Sequence, residues 1–224
     1  IKECDWSSDV CSSDLDANII VCNRERTPVT ASLIAALPKL ELIVTSGARN
    51  ASIDVVAAKG RGIPVCGTAT LGYPTAELTW AMILSFMRSL PQEVASLAAG
   101  GWQTRVGTGV RGKTLGILGY GRIGSDVAKV GAALGMKVIA WSRSLTPEKA
   151  AAAGIEAVSK DDLYRRSDVL TIHMILNKET QNFVGASDLA LMKPTALFVN
   201  TSRAGLVDTN ALIAALDRKS TRLN

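Results

Sequence analysis

Three glycines are spaced for one kind of chemistry. Gly119-Tyr120-Gly121-Arg122-Ile123-Gly124 places them at the first, third and sixth positions, and the strand-like run Lys113 to Leu118 leads directly into the turn. A bare glycine pattern of this kind is a weak signal, but between a strand and a helix each glycine acquires a physical role. Gly119 permits a tight turn, Gly121 lets the backbone approach a pyrophosphate with no Cβ in the way, and Gly124 allows close helix-to-strand packing. Arg122, Ile123 and Gly124 would open the helix, whose first N–H groups and partial positive charge favour a phosphate.

The next signal is an absence. In a dinucleotide fold the second strand ends some ~20 residues past the glycines, where an acid usually holds the ribose 2′-hydroxyl. Here Lys137 to Ala140 runs into Trp141-Ser142-Arg143-Ser144, with no acid. Ser142 and Arg143 instead offer a hydroxyl and a guanidinium, a combination suited to a 2′-phosphate through charge-assisted hydrogen bonds. The expected cofactor is NAD(P), with NADP favoured.

The elements that must position these groups alternate. Short β-rich runs are expected at Ile19 to Cys22, Leu40 to Thr45, Pro64 to Cys66, Thr114 to Leu118, Lys137 to Ala140, Asp168 to Ile172 and Thr195 to Val199, with helical stretches between them. Such alternation is the signature of βαβ units and parallel sheets. Ile123, Val127, Val130 and Leu134 recur at helical spacing and predict an apolar stripe against a sheet. A second helix is predicted from about Thr75 to Arg88, with Pro91 bending or restarting it. Five glycines between Gly100 and Gly112 suggest a boundary loop.

The 224 residues are 47% hydrophobic and 20% charged, an ordinary globular composition. The longest apolar stretch, Leu78 to Met87, is interrupted by Thr79 and Ser85 and is too short to span a bilayer, so no integral membrane role is expected. The two ends differ from the rest. DWSSDVCSSDL (Asp5 to Leu15) resembles the translation of a common sequencing adapter, and DRKSTRLN (Asp217 to Asn224) that of its reverse complement. Residues 1–15 and 217–224 are therefore expected to be non-native. The remainder carries a net charge of +6, spread singly or in pairs, which speaks against nucleic acid. Cys22 and Cys66 are too few for a metal motif, no metal is expected, and reduced thiols point to the cytoplasm. The expected domains are 16–97 and 98–216, both incomplete.

Four segments, LELIVTSGARNASID (Leu40 to Asp54), GIPVCGTATLGYPTAELTWAMIL (Gly62 to Leu84), GKTLGILGYGRIGSDVA (Gly112 to Ala128) and LMKPTALFVNTSRAGLVD (Leu191 to Asp208), together resemble the D-isomer-specific 2-hydroxyacid dehydrogenases. The resemblance implies an α/β fold of doubly wound parallel sheets: a Rossmann-type cofactor domain (98–216) and a smaller flavodoxin-like substrate domain (16–97). The implied reaction is hydride transfer between NAD(P)H and the C2 carbonyl of a small 2-oxo acid, by a homodimer.

Within that resemblance Arg203 matches the catalytic arginine, and its planar guanidinium suits two-point contact with a 2-oxo-acid carboxylate. Gly47, Ala48, Arg49 and Asn50 match the substrate loop, where main-chain N–H groups bind the carboxylate. Thr201 and Ser202 match positions lining the nicotinamide, and His173 a position at the cofactor edge rather than the acid-base residue. Met174-Ile175-Leu176 and Ala204 depart from the family pattern. The family's acid-base histidine and its supporting glutamate have no counterpart after Arg203, so the chain by itself is expected to be inactive. A non-catalytic, dinucleotide-sensing co-repressor of the same fold is the alternative expectation.

Overall fold

The computed structural model describes residues 16–220 apart from 24 and 70. Both segments set aside as foreign are affected: residues 1–15 and 221–224 lie outside the described residues, and the stretch just before the latter continues a helix to Ser220.

The chain forms two units, dividing between Leu71 and Gly72. In the first, β1 (Ile19–Cys22), β2 (Leu42–Thr45) and β3 (Val65–Gly67) make a parallel sheet in sequence order. Helices α1 (Ala31–Ala36) and α2 (Val55–Gly60) are the crossovers. Thr30 caps α1 by accepting from the Leu33 N–H, and Asp54 caps α2 through the Ala57 N–H. Ile34, Leu37, Ile43 and Ala58 fill the core between helices and sheet.

The second unit begins with α3 (Tyr73–Met87) and α4 (Leu90–Ala98). They are separated by Ser89, which takes the left-handed conformation at φ 56°, and Pro91 sits in the first turn of α4. Five parallel strands follow: β4 (Thr114–Leu118), β5 (Lys137–Trp141), β6 (Glu156–Ala157), β7 (Val169–Ile172) and β8 (Leu197–Asn200), in spatial order β6-β5-β4-β7-β8. The order reverses between β4 and β7, and in open parallel sheets ligands bind beside that switch, beyond the strands' carboxyl ends. Helices α5 (Arg122–Ala133), α6 (Pro147–Ala152), α7 (Lys160–Arg166), α8 (Ala186–Leu191) and α9 (Thr209–Ser220) complete the unit. At the opposite end of the sheet the Asp168 carboxylate accepts from the Thr114 N–H and Lys193 Nζ, each at 2.8 Å. Burial raises its pKa, but these partners outweigh that and hold it below the ordinary carboxylate value.

The unit boundary corrects the expected division at 97/98. Ala76, Trp80 and Ile83 of α3 share one core with Leu115, Val127 and Val138, and Trp80 Nε1 donates to the Val127 carbonyl at 3.2 Å. The glycine-rich stretch folds back on the same helices, since Thr104 donates to Glu93 and the Thr108 N–H to the Met87 carbonyl. A glycine count cannot distinguish a loop that separates units from one that packs within a unit. The α5 stripe also shifts: Val130 is 41% exposed, whereas Val127, Ala128 and Gly131 are buried. Gly131 serves because a Cβ there would lie 2.6 Å from Leu115 Cδ2. The two-residue strand β6 has too short a pattern to read from sequence.

Because Trp80 closes the second unit's core, Trp80→Ala should cost about 3–5 kcal/mol of stability in urea unfolding. A loss below about 1 kcal/mol would show that α3 stands apart from this core.

Candidate functional site

Strand β4 enters its turn under severe crowding. Gly119 has φ 99°, and a Cβ there would lie 2.6 Å from the His173 carbonyl oxygen, so both backbone shape and contact demand glycine. A Cβ on Gly124 would collide with the Gly119 carbonyl oxygen. By contrast, a Cβ on Gly121 would meet nothing within 4 Å. Gly121 is also the N-cap of α5 and makes no side-chain capping bond. Open space before a helix start whose first N–H groups have no intrahelical acceptor fits a pyrophosphate. Arg122 and Ile123 lie in that first turn: Ile123 packs on the core, and the Arg122 guanidinium lies beside Gly72.

Beside this turn a cavity of about 210 Å³ is bounded by Gly119, Gly121, Ser142, Arg143, His173 and Thr180, among others. It opens at the carboxyl ends of β4, β5 and β7, where the sheet order reverses. The structure thus brings together the glycine turn, Ser142, Arg143 and His173, which are up to 54 positions apart in sequence. Arg143 is largely exposed, and its Nη1 pairs with Glu179 Oε2 at 2.6 Å.

His173 is shaped by burial. Its Nε2 shares a hydrogen bond with Thr171 Oγ1 at 3.1 Å, while Nδ1 is buried without a partner among the described residues. Desolvation pushes its pKa down to about 4, leaving a neutral ring at pH 7. A neutral imidazole at the cavity edge suits lining rather than proton donation.

At the end of β8 a tight network shapes the chain around Arg203. Ser202 N donates to Asn200 Oδ1 at 3.0 Å, Asn200 Nδ2 to the Arg203 carbonyl at 2.9 Å, and Ser202 Oγ to the Ile172 carbonyl at 2.8 Å. The last of these ties the end of β8 to that of β7. Arg203, Ser202 and Asn200 line a second cavity of about 350 Å³. Thr201 Oγ1 meets buried Thr79 Oγ1 at 2.8 Å. Thr79 donates its own hydroxyl proton to the Thr75 carbonyl at 2.8 Å, so Thr201 must be the donor to Thr79. The Thr201 hydroxyl therefore keeps lone pairs to offer and no second proton. Neither Thr79 nor Glu179 was singled out from the sequence, since each is defined by a partner 122 or 36 positions away.

The loop Gly47 to Asn50 lies in the first unit. Gly47 takes φ 98° and its N–H donates to Thr68 Oγ1 at 3.0 Å, so that N–H is committed within the chain. The Asn50 side chain is buried between Thr45 and Ser52. Ala48 and Arg49 form the exposed part of the loop.

Among the described residues no cluster of His, Cys, Asp and Glu could hold a metal, and no helix is long and apolar enough to cross a membrane.

Strand order, glycine turn and switch-point cavity define a Rossmann-type dinucleotide-binding protein. The profile described as D-isomer specific 2-hydroxyacid dehydrogenase, NAD binding domain, matches residues 80–223. The chain belongs to the D-isomer-specific 2-hydroxyacid dehydrogenase family. It is 41% identical over 198 residues to the glyoxylate reductase of Aeropyrum pernix, covering 84% of this chain and 59% of that protein. It is 38% identical over 205 residues to the D-3-phosphoglycerate dehydrogenase of Methanocaldococcus jannaschii, covering 90% and 39%. Among solved structures, a putative D-3-phosphoglycerate dehydrogenase from Ralstonia solanacearum superposes with a TM-score of 0.85 at 42% identity, over 90% of this chain and 64% of that one. D-lactate dehydrogenase from Aquifex aeolicus, complexed with NAD and lactic acid, gives 0.79 at 31%, over 95% and 65%. The chain thus spans some 59–60% of the length of the glyoxylate reductases it matches.

The depressed pKa of His173 has a consequence for stability. Between its unfolded value of ~6.5 and about 4, the unfolded chain takes up a proton that the native fold refuses, so stability falls as pH drops through that window. The difference in unfolding free energy between the wild-type chain and His173→Gln, read from urea titrations at each pH, should shift over this range by up to about 3 kcal/mol in total. Parallel pH profiles for the two chains would refute it.

Proposed function

We propose that this chain carries the dinucleotide-binding and carboxylate-gripping parts of an NAD(P)-dependent D-2-hydroxyacid dehydrogenase acting on a small 2-oxo or 2-hydroxy acid. The observation that carries the reading is the placement of Arg203 at the carboxyl end of β8, in the same sheet whose β4 ends in the Gly119–Gly124 turn. When bound, the reduced nicotinamide supplies the hydride for the C2 carbonyl.

The chain's own residues divide the remaining work. The start of α5 holds the pyrophosphate through Gly121, Arg122, Ile123 and Gly124. Arg203 grips the substrate carboxylate in two-point fashion and stabilises negative charge growing on the carbonyl oxygen. Within the first unit, the Gly47–Asn50 loop is read as binding a substrate carboxylate through backbone N–H groups, with Gly47 contributing least because its N–H is already used. Thr201 presents lone pairs to a donor such as the nicotinamide amide, Ser202 sets the backbone beside it, and His173 lines the cofactor edge as a neutral group. No other histidine exists in the 224 residues, so the proton for the carbonyl oxygen has no histidine donor within this chain. The reading places the protein in the cytoplasm as a homodimer. Supporting the latter, Val94, Leu97, Trp102 and Val106 are exposed on α4 and the loop after it; a monomer in sedimentation velocity at micromolar concentration would oppose it.

The purified chain should quench its tryptophan fluorescence saturably with NADH or NADPH and yet turn over neither glyoxylate nor hydroxypyruvate, read at the nicotinamide absorbance band. Binding of neither dinucleotide overturns the function, and steady turnover overturns the missing proton donor. In an enzyme extended with the family's acid-base histidine and glutamate, Arg203→Ala should lower kcat/KM at least ~10²-fold while leaving dinucleotide Kd within about twofold. Arg203→Lys should not restore it, because an ammonium lacks the planar fork.

The finer cofactor reading is NADP over NAD. It is supported by Ser142 and Arg143 at the end of β5, where no acid stands, and by their position on the cavity beside the glycine turn. Ser142→Asp combined with Arg143→Ala should reverse the ratio of the two Kd values. A clear NADH preference in the unmodified chain would refute the NADP reading and leave the family's chemistry intact.

A further inference from the structure

The end of β5 lacks an acid, yet a carboxylate stands at the same place. Glu179 reaches Arg143 from the loop after β7, Oε2 to Nη1 at 2.6 Å. We propose that Glu179 is a specificity-determining residue for the cofactor: it competes with a ribose 2′-phosphate for Arg143 and restrains the chain's preference for NADP. The inference rests on the reading that Arg143 contacts the 2′-phosphate.

Three observations carry it. First, Glu179 is held in place by its own loop rather than reaching Arg143 by chance. Asn177 Oδ1 accepts from the N–H groups of both Glu179 and Thr180, each at 3.0 Å. Thr180 Oγ1 donates to the Ile175 carbonyl at 2.7 Å and accepts from the Asn177 N–H at 2.8 Å, and Thr180 is only 2% exposed. Thr180 and Arg143 both border the cavity, so Glu179 is tied to cavity-lining residues through its sequence neighbour and its ion-pair partner.

Second, the pair is weakly committed. Its side chains are 62% and 72% exposed, and ion pairs in such a setting contribute little to folding. Arg143 can therefore exchange one anion for another without unsettling the unit. A phosphate dianion offers it more charge and more acceptor oxygens than the carboxylate does.

Third, the sign of the effect follows from charge. A phosphate drawn to Arg143 arrives within a few ångströms of Glu179, well inside the ~8 Å over which physiological salt screens charges. Like charges at that range oppose each other, so Glu179 penalises the 2′-phosphate twice, by holding the guanidinium and by repulsion. A ribose 2′-hydroxyl, being neutral, is spared the repulsion. The carboxylate that NAD-binding folds usually carry at the strand end is thus supplied here from a different loop, opposite an arginine.

The test measures Kd for NADPH and NADH by tryptophan fluorescence on the 224-residue chain and its Glu179→Gln, Arg143→Ala and doubly substituted forms, with circular dichroism to verify folding. Glu179→Gln should tighten NADPH by about threefold to tenfold and move NADH by no more than about twofold, with the gain shrinking as salt is raised toward 1 M. The gain should vanish when Arg143 is also replaced. An unchanged NADPH to NADH ratio in Glu179→Gln, while Arg143→Ala still weakens NADPH, overturns the role of Glu179 alone. If Arg143→Ala leaves NADPH binding unaltered, Arg143 is no phosphate ligand, and the proposal falls together with the reading beneath it.

Discussion

The second unit depends on a contact in which three pieces of main chain meet without room for a side chain. The carbonyl of His173, at the end of β7, presses on Gly119; the carbonyl of Gly119 presses on Gly124 in the first turn of α5. The Gly119 N–H meanwhile donates to the Trp141 carbonyl at the end of β5. One residue thus joins the ends of three neighbouring strands and sets how closely the helix start approaches the sheet. From that approach follow the open face of Gly121 and the cavity that collects Ser142, Arg143 and His173. Any added methyl group at this junction would push the helix away and displace its N–H groups from where an anion would sit.

Around this junction the polar groups are committed in definite directions. Thr79 spends its proton on the Thr75 carbonyl and so makes Thr201 a donor toward the helix, leaving acceptor capacity beside Arg203. Asn200 serves both the Ser202 N–H and the Arg203 carbonyl, and Ser202 reaches across to β7. Such satisfied networks hold a site's geometry before any ligand arrives, which is what electrostatic catalysis requires. Burial complements them: His173 is kept neutral, so it adds no charge of its own to the cavity at neutral pH.

Charge on the rim is instead concentrated in the exposed pair Arg143 and Glu179. The contrast with Asp168 and Lys193 is instructive. That pair is more enclosed, also binds the Thr114 N–H, and ties β4, β7 and the approach to β8 together at the far end of the sheet. The enclosed pair supports the fold, whereas the exposed one can change partners.

Much of this was legible in the order of residues. The glycine turn, its flanking strand and helix, the strands Ile19–Cys22 and Thr114–Leu118, and the break before Pro91 are local matters, decided by backbone freedom and periodicity over a few residues. The family's motifs, being short and contiguous, were legible for the same reason. What the sequence could not reveal were relations between distant positions. That α3 belongs with the second core depends on Trp80 finding Val127, and that Val130 faces solvent depends on Gly131 lying against Leu115. Ser142 and Arg143 could be counted from the glycines, but the carboxylate opposite them could not, because Glu179 comes from a loop that only the pairing of β7 with β4 brings alongside. Local chemistry is written in neighbouring residues; which charges, hydroxyls and apolar faces meet is decided by the crossovers that close the parallel sheet.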